Sequence, residues 1–244
     1  MPDISTAAFW IAVLQIIAID ILLGGDNAVV IALACRKLPE EQRKKGIFWG
    51  VVGAIGLRIV LIFFALQLLA LPWLKIVGAL LLFWIGVKLL LPEDEEHDDV
   101  AAATSLLSAI KTIIVADAVM SLDNVIAVAG AAHGSIVLVV FGILVSIPIV
   151  VWGSQIVLRL MDRYPAVITA GGALLGWIGG TMIPTDPAVP AEWTAALPQA
   201  KYVLGIAGAV LVVLTGKLLS ARALRAAPEP IDLLTPETPG GKDS

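Results

Sequence analysis

The hydrophobic pattern of the chain consists of long apolar runs separated by short polar or charged breaks. About 20 consecutive apolar residues form a helix that crosses a hydrocarbon core of about 30 Å, and most of the runs reach that length. We therefore predict an all-α polytopic membrane protein with seven transmembrane helices. The predicted spans are 7–34, 47–70, 73–91, 106–131, 136–160, 166–183 and 202–219.

Two segments differ in composition from these spans. The linker 92–105 opens with the acidic run PEDEEHDD, and the tail 226–244 is rich in Pro and Gly, which is typical of disorder. We predict a single transmembrane domain over 1–225. For the acidic run at 93–99 two interpretations stay open, a solvated linker or a segment that collects cations.

Basic residues collect at alternate ends of the spans. They follow span one, flank the turn between spans five and six, and follow span seven. The group comprises Arg36, Lys37, Arg43, Lys44, Lys45, Arg159, Arg163, Lys217, Arg222 and Arg225. Because cytoplasmic loops carry an excess of Lys and Arg, we predict an outside N-terminus, with the C-terminus and the acidic linker in the cytoplasm.

A sequence repeat relates spans one to three to spans four to six. The stretch DILLGGDNAVV at 20–30 is matched by DAVMSLDNVIA at 117–127, with polar residues in the same order. Each unit, 7–91 and 106–183, has three spans, so the second unit must cross the membrane in the opposite direction. Inverted repeats with a site near the midplane are the architecture of many secondary transporters. The seventh span, 202–219, lies outside the repeat.

Composition excludes several classes of protein. The chain is 59% hydrophobic and 15% charged, too few polar residues to cover a soluble domain of 244 residues. Its net charge of −4 gives no electrostatic footprint for a nucleic acid. The single cysteine, Cys35, excludes a disulfide framework or a cysteine-based metal cluster.

Six polar side chains stand out because they lie at membrane depth in both repeat units. They are Asp20, Asp26, Asn27, Asp117, Asp123 and Asn124. An Asp at a helix centre costs about 2.5–3.5 kcal/mol on insertion scales, so four would cost roughly 10–14 kcal/mol without compensation. Arg58 is the one basic residue near the middle of a span, and one Arg cannot neutralise four carboxylates. This imbalance favours a cation site, with protons replacing the metal in its absence.

Helical geometry groups these side chains. Asp20 and Asn27, two turns apart, share a face, and so do Asp117, Ser121 and Asn124. The ligands would be carboxylate, amide and carbonyl oxygens, which suit magnesium, calcium or manganese rather than zinc or copper. Oxygen chemistry alone does not choose among these three metals.

Three further features refine the predicted site. Asp26 points about 100° away from Asn27 on an ideal helix. We expect an unwound turn at Gly24-Gly25 to re-aim it and to free backbone carbonyls. Two interpretations stay open for Arg58, a structural partner of one carboxylate or a gating residue. Ser121 is a candidate for the same two roles.

Two motifs resemble one known family. GGDNAVVIA at 24–32 and SLDNVIAVAG at 121–130, within the seven-span plan, are similar to the small bacterial type of the TerC family of integral membrane proteins. The resemblance covers about 7–220. It implies a manganese exporter related to the LysE-type transporter superfamily, in the bacterial inner membrane. It also implies metal handling by the six Asp and Asn residues named above, with Mn²⁺ as transported substrate rather than bound cofactor.

The expected function is export of a divalent metal ion, Mn²⁺ first, by alternating access and in exchange for protons. The expected partners are the metal ion, protons and the lipid bilayer, with no nucleic acid; a homo-oligomer is left open. One alternative is an intramembrane metal-dependent enzyme, which the lack of an H-E-x-x-H motif disfavours, so we do not predict an enzyme. The other is a non-transporting membrane partner in metal or tellurite stress response.

Overall fold

The computed structural model describes residues 7–92, 99–131 and 136–226, and all regular structure in these ranges is helical. The predicted tail and most of the acidic run lie outside the described residues. The helices are α1 (Ala7–Cys35), α2 (Glu40–Phe63), α3 (Ala65–Leu69), α4 (Leu74–Leu90), α5 (Asp99–Ala131), α6 (Ile136–Arg163), α7 (Ala166–Met182), α8 (Ala191–Ala196) and α9 (Ala200–Ala226). A single 3₁₀ turn, Ile183–Thr185, follows α7. The predicted all-α class is confirmed.

Five helical segments in the described ranges are long and apolar enough to cross a membrane. They are Glu40–Phe63, Ser105–Leu122, Val140–Arg163, Ala166–Thr185 and Ala200–Ala223. Helix α1 contributes the shorter apolar stretch Gly25–Cys35, and α4 has 17 residues, just below a typical span length. The membrane class is therefore supported by five spans, while the count of seven stays a prediction.

Large apolar side chains cover the outside of the bundle. Trp152 and Leu107 are 68% and 67% exposed, and Trp84 and Leu218 are 59% and 61% exposed. A water-soluble monomer rarely exposes so much contiguous apolar surface. A helix that is apolar on all sides belongs in a membrane, where lipid tails cover its outer face.

The helices pack in pairs that link the two predicted repeat units. Helix α1 packs mainly on α6, and α2 mainly on α5, while α4 contacts α7. In the predicted repeat, α1, α2 and α4 correspond to α5, α6 and α7. The pair α1–α6 therefore corresponds to the pair α5–α2, so this packing supports the predicted repeat. Helix α9 lies against α7 and α4, outside those pairs.

Small residues bring α7 and α9 into close contact. A Cβ atom on Gly176 or Gly208 would overlap the facing glycine's backbone, and one on Gly180 would overlap the carbonyl of Leu204. Helices in lipid associate through this kind of packing, since burial of apolar surface gives them little drive to associate.

Different polar contacts stabilise the two ends of the bundle. We call the end where α1, α4 and α9 finish the basic end. There Arg43 at the start of α2 contacts Asp162 near the end of α6, with 3.2 Å between nitrogen and oxygen. Arg43 also donates to the carbonyl oxygens of Leu38 and Arg36, so it holds the loop between α1 and α2 in place.

At the other end, the buried carboxylate of Asp186 caps helix α4. It accepts hydrogen bonds from the backbone N–H groups of Trp73, Lys75 and Ile76, at 2.8, 2.9 and 3.2 Å, and from Ala188 at 2.7 Å. A helix is usually capped by the side chain at its own N-cap position, but that residue here is Trp73, which has no oxygen to offer. Asp186 supplies the missing acceptor from a distant part of the chain.

Candidate functional site

A buried ion pair joins α2 and α5 in the middle of the bundle. Arg58 Nη2 lies 2.5 Å from Asp117 Oδ1, and the two side chains are 9% and 8% exposed. Arg58 Nε donates to Ser121 Oγ at 3.0 Å, and the Ser121 hydroxyl donates to Asp117 Oδ2 at 3.2 Å. Asp117 and Ser121 meet because they lie one turn apart on α5. The three side chains form a closed polar network.

A small cavity lies beside this network. Its volume is about 30 Å³, enough for one or two water molecules or a compact ion, since one water needs about 10–15 Å³ measured in this way. Its polar lining comes from Asn27, Arg58, Asp117 and Ser146, on α1, α2, α5 and α6. Its apolar lining comes from Val30, Ile31, Val51, Ala54, Ile55, Ile113, Ile147 and Val150. Four helices, two from each predicted repeat unit, thus surround one polar point.

Two acceptor oxygens on α1 are buried without a hydrogen-bond donor in the described part of the chain. They are Asp26 Oδ1 and Asn27 Oδ1. The Asp26 carboxylate lies within electrostatic range of both Asp117 and Arg58, so we consider it together with this polar group. A buried acceptor left without a partner costs about 1–3 kcal/mol, and a bound cation or proton would remove that cost.

The structure brings together five of the eight residues singled out from the sequence, namely Asp26, Asn27, Arg58, Asp117 and Ser121. The remaining three are Asp20, Asp123 and Asn124. Their backbone lies in α1 and α5, but their side chains lie outside the described ones. The described side chains contain no group of three or more His, Cys, Asp and Glu close enough to hold a metal ion. The full set of four carboxylates therefore stays a prediction.

The expectation of an unwound turn at Gly24-Gly25 is wrong, because α1 is one continuous helix through both glycines. In an apolar environment each interrupted backbone hydrogen bond costs several kcal/mol, which exceeds the roughly 1 kcal/mol that a helical glycine loses relative to alanine. Even so, Asp26 lies within electrostatic range of Asp117 and Arg58 on this regular helix.

Sequence reasoning missed two polar residues that the structure makes prominent. Ser146 is 1% exposed, lines the cavity, and donates to the carbonyl of Ile143 at 2.8 Å. A lone serine in an apolar run gives no sign of which neighbour it faces. The other is Asp186, and the only available signal was an acidic residue in an otherwise proline-rich connection.

A bundle of apolar helices in which buried polar side chains of four helices meet at one point defines an integral membrane protein with an intramembrane polar site. The chain belongs to the TerC family of integral membrane proteins, because the family model matches residues 5–224.

Several relatives of the chain are also membrane proteins. The uncharacterized membrane protein YjbE of Bacillus subtilis is 46% identical over 178 residues, which cover 73% of this chain and 81% of YjbE. YceF of the same organism is 28% identical, with 69% of each chain covered. The UPF0053 inner membrane protein YgdQ of Escherichia coli K12 is 25% identical, with 71% and 80% covered. No solved structure gives a significant match.

Proposed function

We propose that the protein is a secondary transporter that exports divalent metal ions, Mn²⁺ first, through the polar site between its two repeat units. One observation carries the proposal. Asn27, whose buried Oδ1 has no hydrogen-bond donor in the described part of the chain, lines a cavity that four helices share with the Arg58–Asp117 ion pair, and Asp26 is its neighbour on α1. In lipid, buried ionisable residues of this kind mark ion pathways.

The charge balance of the site favours a cation as substrate. The site has two described carboxylates, Asp117, which pairs with Arg58, and Asp26, which lies within electrostatic range of both, but only one guanidinium. The net charge is therefore negative when both carboxylates are ionised, and Asp20 and Asp123 would add to it. A divalent ion neutralises this excess, and carboxylate and amide oxygens are the donors that Mn²⁺, Mg²⁺ and Ca²⁺ accept.

Arg58 serves in this proposal as the resident cation of the site. Its guanidinium holds Asp117 while no metal is bound, so the carboxylate is never left buried without a partner. A metal ion that binds Asp117 competes with Arg58 for the same oxygens. Release of the metal on the far side returns Asp117 to Arg58, while protons from that side neutralise the remaining carboxylates.

The distribution of basic residues orients the protein in the membrane, while the export direction of the proposal comes from the family resemblance. The basic end of the bundle faces the cytoplasm if the positive-inside rule holds, which places the N-terminus outside in a bacterial inner membrane. Metal enters from the basic end and leaves at the end capped by Asp186. Since the chain carries no GxxxxGK[ST] loop for ATP, an ion gradient drives the cycle.

Metal flux into proteoliposomes tests the proposal. We expect Mn²⁺ flux from the wild type and at least a tenfold loss in Asp20→Asn and Asp117→Asn. The matched control is Asp162→Asn, which makes the same chemical change at an exposed carboxylate of the basic end and should keep its flux. Flux that survives both site substitutions overturns the site. The absence of flux for Mn²⁺, Mg²⁺ and Ca²⁺ in the wild type overturns the transporter itself.

A further inference from the structure

A second cavity, separate from the polar site, opens at the basic end of the bundle. It holds about 420 Å³, and we call it the basic cleft. It lies between the end of α1, the end of α4, the start of α7 and the last turns of α9. Its lining residues are Arg36, Leu90, Leu91, Pro92, Pro165, Ile168, Thr169, Lys217, Ser220 and Ala221.

The lining of the basic cleft is positively charged. Arg36 and Lys217 both contribute, and the described residues that line the cleft include neither Asp nor Glu. Arg36 is held in position because its Nη2 donates to the carbonyl oxygen of Leu89 at 3.1 Å. The hydroxyls of Thr169 and Ser220 add two uncharged groups that can donate to an anion.

Helix α7 adds to this positive field, because its first turn lines the cleft. Its N-cap residue is Pro165, which makes no side-chain hydrogen bond to the helix, and no acidic residue lies in the first turn. The N-terminal end of a helix carries partial positive charge and favours an anion there. The C-terminal ends of α1 and α4, which also border the cleft, carry the opposite partial charge, so the positive charge of the cleft comes mainly from Arg36 and Lys217.

The surroundings of the cleft suit a lipid. On α9 the residues next to Lys217 include Leu214 and Leu218, which are 56% and 61% exposed on the outer surface of the bundle. A lipid can place its acyl chains along this apolar surface and its headgroup in the cleft. Basic pockets between helices on the cytoplasmic side are suited to anionic lipid headgroups.

We propose that the basic cleft binds the phosphate group of an anionic phospholipid of the inner leaflet. The phosphate contacts Lys217 and Arg36, with Thr169 and Ser220 as hydrogen-bond donors. Because Arg36 directly follows α1, the bound lipid also fastens the end of the helix that carries Asp26 and Asn27. This site is independent of the metal site and does not require the protein to be a transporter.

Thermal unfolding of the full chain in detergent, with added lipid, tests the inference. Cys35 is the single cysteine and is buried, so a thiol-reactive dye reports unfolding directly. The probes are phosphatidylglycerol, phosphatidylcholine and inorganic phosphate. The variant is Lys217→Gln. The matched control is Arg222→Gln, which removes an exposed cation from the same helix but outside the cleft.

We expect phosphatidylglycerol to raise the Tm of the wild type and of Arg222→Gln, and phosphatidylcholine to raise it much less. Lys217→Gln should need about fivefold more phosphatidylglycerol for half of the rise, as expected when one surface cation worth ~1 kcal/mol is lost. The inference is overturned if both lipids act equally, or if Lys217→Gln responds as Arg222→Gln does. An equal rise with inorganic phosphate alone assigns the cleft to a free anion and overturns the lipid as its source.

Discussion

Arg58 and Asp117 form a buried ion pair that ties the second helix of one predicted repeat unit to the first helix of the other, with 2.5 Å between Nη2 and Oδ1. Because Ser121 bonds to both partners, the pair is fully hydrogen-bonded on its α5 side. Removing one partner of such a pair leaves a buried charge without compensation. This relationship gives the first two predictions.

Arg58→Gln should destabilise the protein by about 3–5 kcal/mol, because Asp117 would stay buried and ionised without its guanidinium. The double variant Arg58→Gln with Asp117→Asn should recover much of this loss, since neither residue then carries a charge. Chemical unfolding in detergent micelles measures both. A single variant as stable as the wild type would contradict the pairing, as would a double variant no more stable than the single one.

Mn²⁺ should raise the Tm of Arg58→Gln more than that of the wild type. In the variant the Asp117 carboxylate is free to bind metal, and a ligand that binds only the folded state stabilises it in proportion to its affinity. Arg43→Gln is the control, because it breaks the more exposed pair with Asp162 and leaves the site intact. Equal Mn²⁺ shifts in all three proteins would show that Arg58 does not compete with the metal.

Asp186 should make the stability of the protein depend on pH in the acid range. Burial favours its neutral form, but four backbone N–H donors outweigh that effect and hold the pKa of Asp186 below its ordinary value of 3.8. A lowered pKa in the folded state stabilises the protein fully above pH 3.8 and loses this effect as the pH falls below it.

Asp186→Asn should therefore cost about 0.5–2 kcal/mol at neutral pH, the range of a lost helix cap. The difference from the wild type should shrink below about pH 4 as the wild-type carboxyl becomes protonated. Parallel unfolding curves across this range isolate Asp186 from the other carboxylates. A constant difference at every pH would rule out the charged cap.

The class of the protein and the helices that carry its site could be predicted from the sequence. Long apolar runs leave few alternatives to membrane helices, and a carboxylate in such a run needs compensation wherever it lies. The prediction singled out Asn27 and Asp117, which line one cavity, and Asp26, which lies within electrostatic range of Asp117, while their role in a metal site stays a prediction. These conclusions depend on local composition alone.

The pairing of those residues could not be predicted, because it depends on how the helices pack. Nothing in the sequence selects Asp117 rather than another carboxylate as the partner of Arg58. The continuous course of α1 through Gly24-Gly25 also escaped prediction, since glycine only permits a break and does not cause one. The capping of α4 by Asp186 joins residues more than a hundred positions apart, beyond any local pattern.

Gly180→Ala should destabilise the contact between α7 and α9 by about 1–3 kcal/mol, because the new methyl group would overlap the backbone carbonyl of Leu204. Gly56→Ala is the matched control. A Cβ atom there would have no atom of a neighbouring helix within 4 Å, so the substitution should be neutral or add about 0.5–1 kcal/mol to helix stability. Chemical unfolding measures the stability of both variants. If Gly180→Ala is as stable as Gly56→Ala, the close approach of α7 and α9 is contradicted.

Asn27→Leu separates a functional role of the site from a structural one. Asn27 is 6% exposed, and its Oδ1 is buried without a donor in the described part of the chain, so the residue costs stability where it stands. Replacing it by an apolar side chain of similar size should raise the free energy of unfolding, by up to about 1–3 kcal/mol. The same change removes a proposed metal ligand, so Mn²⁺ flux in proteoliposomes should fall at least tenfold. A residue kept only for packing would give the opposite pair of results, lower stability with unchanged flux, and that outcome would exclude Asn27 from the metal site.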